Sequence, residues 1–319
     1  MGENAPLPFL LFGGFILLLL GFDLGVLQRR ARHMRMREAA AWSVGWVTLA
    51  LLFNLLLYYL YEEGILGPGG GGGGEAALQF LTGYLIELAL SVDNLFVFLV
   101  LFSYFGVPER FQHKVLFWGI LGAILMRLVF IVSGAMLVSR FEWILMVFGV
   151  ILVFSGWKML THKEMEVHPD RNLFIRLARR LFPVTSDFDT PRFMVRRQGR
   201  LHLTPMLLVL ITVETTDVVF AVDSIPAIFA VTRDPFIIFT SNIFAVLGLR
   251  SLYFVLSGAM AGFHYLKTGL SAILIFIGLK MLAADLVHVP VIVSLTVVVS
   301  VLSGSVIASL IRRRRARRP

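Results

Sequence analysis

Residues 213–226 read VETTDVVFAVDSIP. Three acids, Glu214, Asp217 and Asp223, stand there inside an otherwise apolar run over 204–231. That run is long enough to cross a hydrocarbon core, which takes about 20 residues. A second run, 78–104, carries ELALSVDN, with Glu87, Asp93 and Asn94. A carboxylate at a membrane helix centre costs roughly 2.5–3.5 kcal/mol on insertion scales, so acids placed there are candidates for function.

The surrounding chain supports a membrane reading. Of its 319 residues, 58% are hydrophobic, against about 45–50% in soluble domains. The mean hydropathy is +0.84. The apolar residues come in blocks, and nine spans are predicted: 7–27, 42–61, 78–104, 113–138, 141–160, 204–231, 236–262, 269–286 and 290–311. The expected fold is all-α, a polytopic helical membrane protein. There is no cysteine, which excludes disulfides, thiolate metal sites and cysteine nucleophiles.

The net charge of +9 is gathered in a few loops and the tail, as membrane topology requires, so no nucleic-acid partner is expected. The first span lacks a basic leader and is followed by Arg29, Arg30, Arg32, Arg35 and Arg37. It reads as a true span, not a cleaved signal. Loop 28–41, loop 161–203 and the tail from Arg312 are basic. All three share one side if the N-terminus is outside and the C-terminus cytoplasmic. Loop 62–77 carries Glu62, Glu63, Glu75 and six glycines, 69–74, and reads as a flexible exterior linker. The expected location is the cell (inner) membrane.

Within 161–203, residues 172–182 alternate Phe174, Leu177 and Leu181 with Arg176, Arg179 and Arg180. That spacing predicts a short interfacial amphipathic helix, and Gly199 predicts a hairpin tip after Phe193. The basic loops and tail are expected to meet anionic lipid.

The chain also repeats itself. Glu87-LALSV-Asp93 matches Asp217-VVFAV-Asp223; Ser133-GAM matches Ser257-GAM; Phe154-SGWKML matches Phe276-IGLKML. The order is the same in both halves. Each unit holds three helices, so the second enters from the opposite side, an inverted repeat of the transporter kind. The expected divisions are 1–77, two helices and the glycine linker; 78–160, the first repeat; 161–203, the cytoplasmic basic loop; 204–286, the second repeat; and 287–319, the last helix and tail.

Glu87, Ser91 and Asn94 share one helix face, as do Asp217, Ala221 and Ser224. Asp93 and Asp223 lie about 120° away. Either the helices unwind near the second acids, or the two faces meet different neighbours. Pro226 gives a reason for unwinding in the second copy. Carboxylates, an amide, a hydroxyl and freed carbonyls form an all-oxygen set that suits hard cations such as Mg²⁺, Ca²⁺ or Mn²⁺. Thr240, Ser241 and Asn242 are further oxygen candidates. Arg127 and Arg250 are the possible charge partners within spans. Two arginines cannot neutralise five acids, so protons or a cation are expected to fill the deficit.

These residues resemble the TerC family of integral membrane proteins, and within it the Alx branch. The resemblance runs from about Leu78 to Leu282 and is most specific from Val213 to Phe254. It implies a nine-span protein with its N-terminus outside, and a metal site at Glu87, Asp93, Asn94, Glu214, Asp217, Asp223 and Ser224. It further implies export of Mn²⁺ and a link by name to tellurium resistance; the exchanged ion is expected to be the proton because buried carboxylates can be protonated when metal leaves. The alternative is a metal-binding membrane scaffold or stress-response assembly factor that transports nothing. No enzyme is expected: neither a His-Glu-x-x-His nor a Gly-x-Ser-x-Gly motif is present.

Overall fold

The computed structural model describes residues 6–27, 36–66, 72–161, 172–185, 188, 190, 192–197, 199–257, 265–284, 286–287 and 289–316. The helices are α1 (Pro6–Leu27), α2 (Met36–Glu62), α3 (Gly73–Phe105), α4 (Glu109–Arg140), α5 (Ile144–Thr161), α6 (Leu173–Leu181), α7 (Pro205–Phe229), α8 (Pro235–Leu247), α9 (Leu249–Ser257), α10 (Leu266–Leu282) and α11 (Val291–Ala316). Seven described helices are long and apolar enough to cross a membrane, α8 and α9 together counting as one. The other two predicted spans fall on shorter pieces, the apolar Leu7–Gly21 of α1 and the 17-residue α10.

α3 and α8 form the centre. Every residue of α8 from Phe236 to Leu247 is buried, whereas α2, α5 and α11 keep broad apolar faces outward, with Leu51, Leu55, Val150, Phe154, Ile292 and Ile307 exposed. Such faces are what hydrocarbon requires of peripheral helices. Around the centre, Phe12, Phe53, Phe80 and Phe244 bring α1, α2, α3 and α8 together, the closest rings being Phe53 and Phe244 at 4.7 Å.

Small residues set the closest helix approach. A Cβ on Gly278 of α10 would stand 2.7 Å from the Gly149 carbonyl oxygen of α5. Reciprocally, one on Gly149 would stand 3.0 Å from the Gly278 oxygen, and one on Gly156 would stand 2.8 Å from the Ser271 oxygen. Position 149 thus faces 278 while 156 faces 271, so α5 and α10 run antiparallel with backbones in contact. α4 and α7 run the same way, since Gly119 faces Val213 and Gly134 faces Phe229.

Pro226 does not unwind α7, contrary to the sequence expectation. The helix is continuous from Pro205 to Phe229. Pro226 has no N–H to give the Val222 carbonyl four residues back, but only three residues of the helix follow it, and α7 carries the defect to its end at Phe229 without a break. The interruption falls instead at Gly248, between α8 and α9. The match Ser133-GAM to Ser257-GAM runs into 258–260, outside the described residues.

The described residues of the long basic loop carry the predicted helix and hairpin. Asn172 caps α6 by accepting from the Phe174 and Ile175 amides. Ile175 is buried, while Leu173, Phe174, Leu177 and Leu181 are exposed. β1 (Met194–Arg197) pairs antiparallel with β2 (Arg200–Leu203). Gly199 at φ 78° makes the tight turn that favours glycine. The hairpin docks on α4 through Phe193, which lies under the Lys114 ammonium at 5.0 Å and against Trp118.

Turns predicted to share a side meet one another. The Tyr61 hydroxyl donates to Asp234 at 2.6 Å, and Arg233 donates to Glu142 at 3.2 Å. The second pair is exposed and stabilises little. The first joins the end of α2 to the residue that caps α8, since Asp234 also accepts from the Phe236 and Ile237 amides. Tyr61→Phe is therefore expected to lower stability by about 1–2 kcal/mol, read by thermal unfolding in detergent. An unchanged unfolding temperature would show that the bond carries no weight.

Candidate functional site

The polar centre lies where α3, α4, α7 and α8 meet. Its hub is Arg127 of α4, which is 0% exposed. Its guanidinium donates to Glu87 of α3, to the Asn242 side-chain oxygen of α8 at 3.0 Å, and to Asp217 of α7 at 3.4 Å. The Asn242 amide returns a bond to the other Glu87 oxygen at 3.0 Å, and Ser91 donates to Glu87 at 3.1 Å. One arginine therefore holds the matching acids of both repeated motifs.

Helix periodicity explains this placement. Glu87, Ser91 and Asn94 are all buried on one face of α3. On α7, Asp217 and Ser224 are buried on one face, while Asp223 is turned away to α5. There it accepts from the Ser155 hydroxyl at 2.6 Å. Lys158 is also near enough to act on it electrostatically. On α7, of the two arrangements the spacing allowed, the one with each face meeting a different neighbour is realised.

Glu214, one turn before Asp217, fills the space beside Gly122, where a Cβ would overlap its carboxylate. It lies close enough to Asp217 for the two charges to repel. Ser224 is buried with no partner on its hydroxyl among the described residues, and so is the Asp217 Oδ2 atom. Asp93 is on α3, with its side chain outside the described residues. Arg250 is buried on α9.

The predicted ligand set is thus divided. Glu87 and Asp217 converge on Arg127, Glu214 lies beside them, and Asp223 is paired with Ser155. Among the described residues no three His, Cys, Asp or Glu side chains converge as a metal cage would need. The hub still carries excess negative charge. Glu87 and Asp217 bring two negative charges against one on Arg127, and one buried carboxylate oxygen is unpartnered. A buried charge without a partner is costly, so such a hub favours a proton or a cation.

Sequence reasoning flagged Asn242 only as a generic oxygen and missed its bridge between Arg127 and Glu87. It missed Ser155 altogether. Ser155 lies in the repeated FSGWKML motif, but its counterpart in FIGLKML is Ile277, so the repeat gave no signal there. The loop also reaches the site. The Asn172 amide donates to Thr215 at 2.6 Å, between Glu214 and Asp217 in sequence.

The family described as "Integral membrane protein TerC family" matches residues 72–317. A Myxococcus xanthus protein, named only as an uncharacterized membrane protein, is 48% identical over 96% of this chain and 92% of its own. An Escherichia coli K12 protein named "Putative membrane-bound redox modulator Alx" is 50% identical over 92% of each chain. A Photorhabdus laumondii protein of the same name is 48% identical over 96% of this chain and 95% of its own. No solved structure matches the chain.

Proposed function

This chain belongs to the TerC family of integral membrane proteins, and we propose that it exports a hard divalent cation, Mn²⁺ first among them, with protons as the exchanged charge. The observation that carries this reading is the hub's surplus of buried carboxylate over positive charge. Apart from the Arg127 guanidinium, the hub's side chains offer carboxylate, hydroxyl and amide groups, and the chain has no cysteine, so the chemistry favours hard cations over soft ones. Glu87, Asp93, Asn94, Glu214, Asp217, Asp223 and Ser224 are the residues proposed to meet the cargo along its path. Redox modulation, in the words of the relatives' name, would then act through the metal rather than through thiols.

Two inverted three-helix units, α3–α5 and α7–α10, would rock about the hub to give alternating access. The antiparallel α5 and α10 and the co-directional α4 and α7 support that reading. The N-terminus is taken as outside, with the basic loop and tail in the cytoplasm, where α6 would meet anionic lipid.

The test is Mn²⁺ flux into proteoliposomes of known orientation holding a metal-quenched dye, with Mg²⁺ and Ca²⁺ as competitors. Asp217→Asn is expected to lower the Mn²⁺ rate at least about ten-fold, a loss of roughly 1.4 kcal/mol. Equal rates in variant and wild type would remove Asp217 from the path. A second reading has its own support: an arginine that ties both halves together is also what a locked bundle would use. Mn²⁺ binding without flux in sealed vesicles would favour that non-transporting scaffold.

A further inference from the structure

We infer that Arg127 is a built-in counter-cation that the cargo displaces and that returns to carry the carrier back without cargo. This rests on the transport reading above and adds a step to it. Three observations carry it. The guanidinium is completely buried and lies between the matching acids, Glu87 on α3 and Asp217 on α7. Asn242 holds both the guanidinium and Glu87, so the seat is built for this pair rather than filled by chance. Finally, the Arg127 Nε atom is buried with no partner among the described residues, so the seat satisfies the guanidinium only in part.

The physical consequence is competition. A divalent cation drawing charge from Glu87 and Asp217 and the guanidinium bonded to them want the same oxygens. Both cannot be fully satisfied, because each buried carboxylate has few lone pairs to give. When the cation binds, the arginine must give up at least one acid. When the cation leaves, the arginine takes the acid back, and two bare carboxylates never face each other in a dry seam. A reorienting carrier must pass through such a cargo-free step. On that metal-free return the exchanged proton neutralises one acid and the arginine the other; without the resident positive charge, one more buried anion is left uncompensated unless a further proton is taken up. The side chain is anchored on α4, so it moves with the carrier and cannot be carried across as cargo.

Two flux modes separate this role from a merely structural one. Net efflux needs the cargo-free return; exchange of radioactive Mn²⁺ for unlabelled Mn²⁺ across the membrane does not. In Arg127→Gln the ratio of net efflux to exchange is expected to fall at least about ten-fold, equivalent to roughly 1.4 kcal/mol on the return step. Arg127→Lys, which keeps the charge, is expected to hold the ratio within about three-fold of wild type, some 0.65 kcal/mol. Should Arg127→Gln not reach the membrane, Glu87→Gln/Arg127→Gln is compared with Glu87→Gln alone: removing the arginine strands Asp217, so the ratio should fall between these two variants. An unchanged ratio in the neutral variants overturns the inference, and so does loss of both modes in a folded Arg127→Gln protein. Absence of any Mn²⁺ flux in the wild type would instead overturn the transport reading itself.

Discussion

Replacing Arg127 by Gln is expected to lower the stability of the detergent-solubilised protein by roughly 3–5 kcal/mol, the size of effect seen when one partner of a buried ion pair is removed. Glu87 and Asp217 lose their only ionic partner among the described residues, and both are almost wholly buried. Asn242 cannot replace it. Its amide already donates to Glu87, and its oxygen would lose its donor. The cost belongs to the stranded charge rather than to the missing side chain, so a second substitution tests the explanation. Glu87→Gln/Arg127→Gln should recover more than half of the loss, because a glutamine amide can bond Asn242 and Ser91 without a charge to bury. Thermal unfolding of the two variants beside wild type gives the answer. A double variant less stable than the single would mean that shape, not charge, holds the seam.

Gly278→Val is expected to produce the second large loss, about 1–3 kcal/mol, the usual cost of overfilling a packed interface. A Cβ there meets the Gly149 oxygen at 2.7 Å and the Val153 nitrogen at 2.9 Å. Both are backbone atoms, so no rotamer change can relieve the overlap, and α10 must move off α5. Little else in a bilayer draws two helices together except such close packing. Gly304→Val is the control. Nothing lies within 4 Å of a Cβ at that position, so the loss there should stay below about 1 kcal/mol. Equal losses at the two positions would mean that the α5–α10 contact is not what the substitution disturbs.

Much of this architecture was legible because its signals are local. Apolar runs marked the helices, and arginines marked the loops. Alternating Phe174, Leu177 and Leu181 against Arg176 and Arg180 gave α6, and Gly199 gave the hairpin turn. The acids were legible for a related reason: a carboxylate is conspicuous in an apolar run. Their partners were not. Whether Asp217 faces Arg127, or Asp223 faces Ser155, depends on which helices meet and in what register, and no local pattern encodes that. The proline at 226 misled because its effect depends on place. It removes one bond, to the Val222 carbonyl, but with only three helical residues after it there is little chain left for a kink to redirect. The glycines of α5 and α10 were partly legible: the repeat marked Gly156 and Gly278 as equivalent, but not Gly149 and Ser271 as what they touch.

The polar hub is assembled from distant parts of the chain, and that orders events while the protein is being made. Asp217 follows Arg127 by 90 residues, and Asn242 follows Glu87 by 155. At roughly 5–20 residues per second, Arg127 waits on the order of 5–20 s for Asp217 to be synthesised. During that interval Glu87, 40 residues earlier, is the only one of its three bonded side chains already made. The first three-helix unit therefore enters the bilayer with its charged face half complete, and the ribosome supplies the rest. A nascent chain stopped before α7 would hold Arg127 and Glu87 without Asp217 and Asn242, the other two side chains that complete the hub.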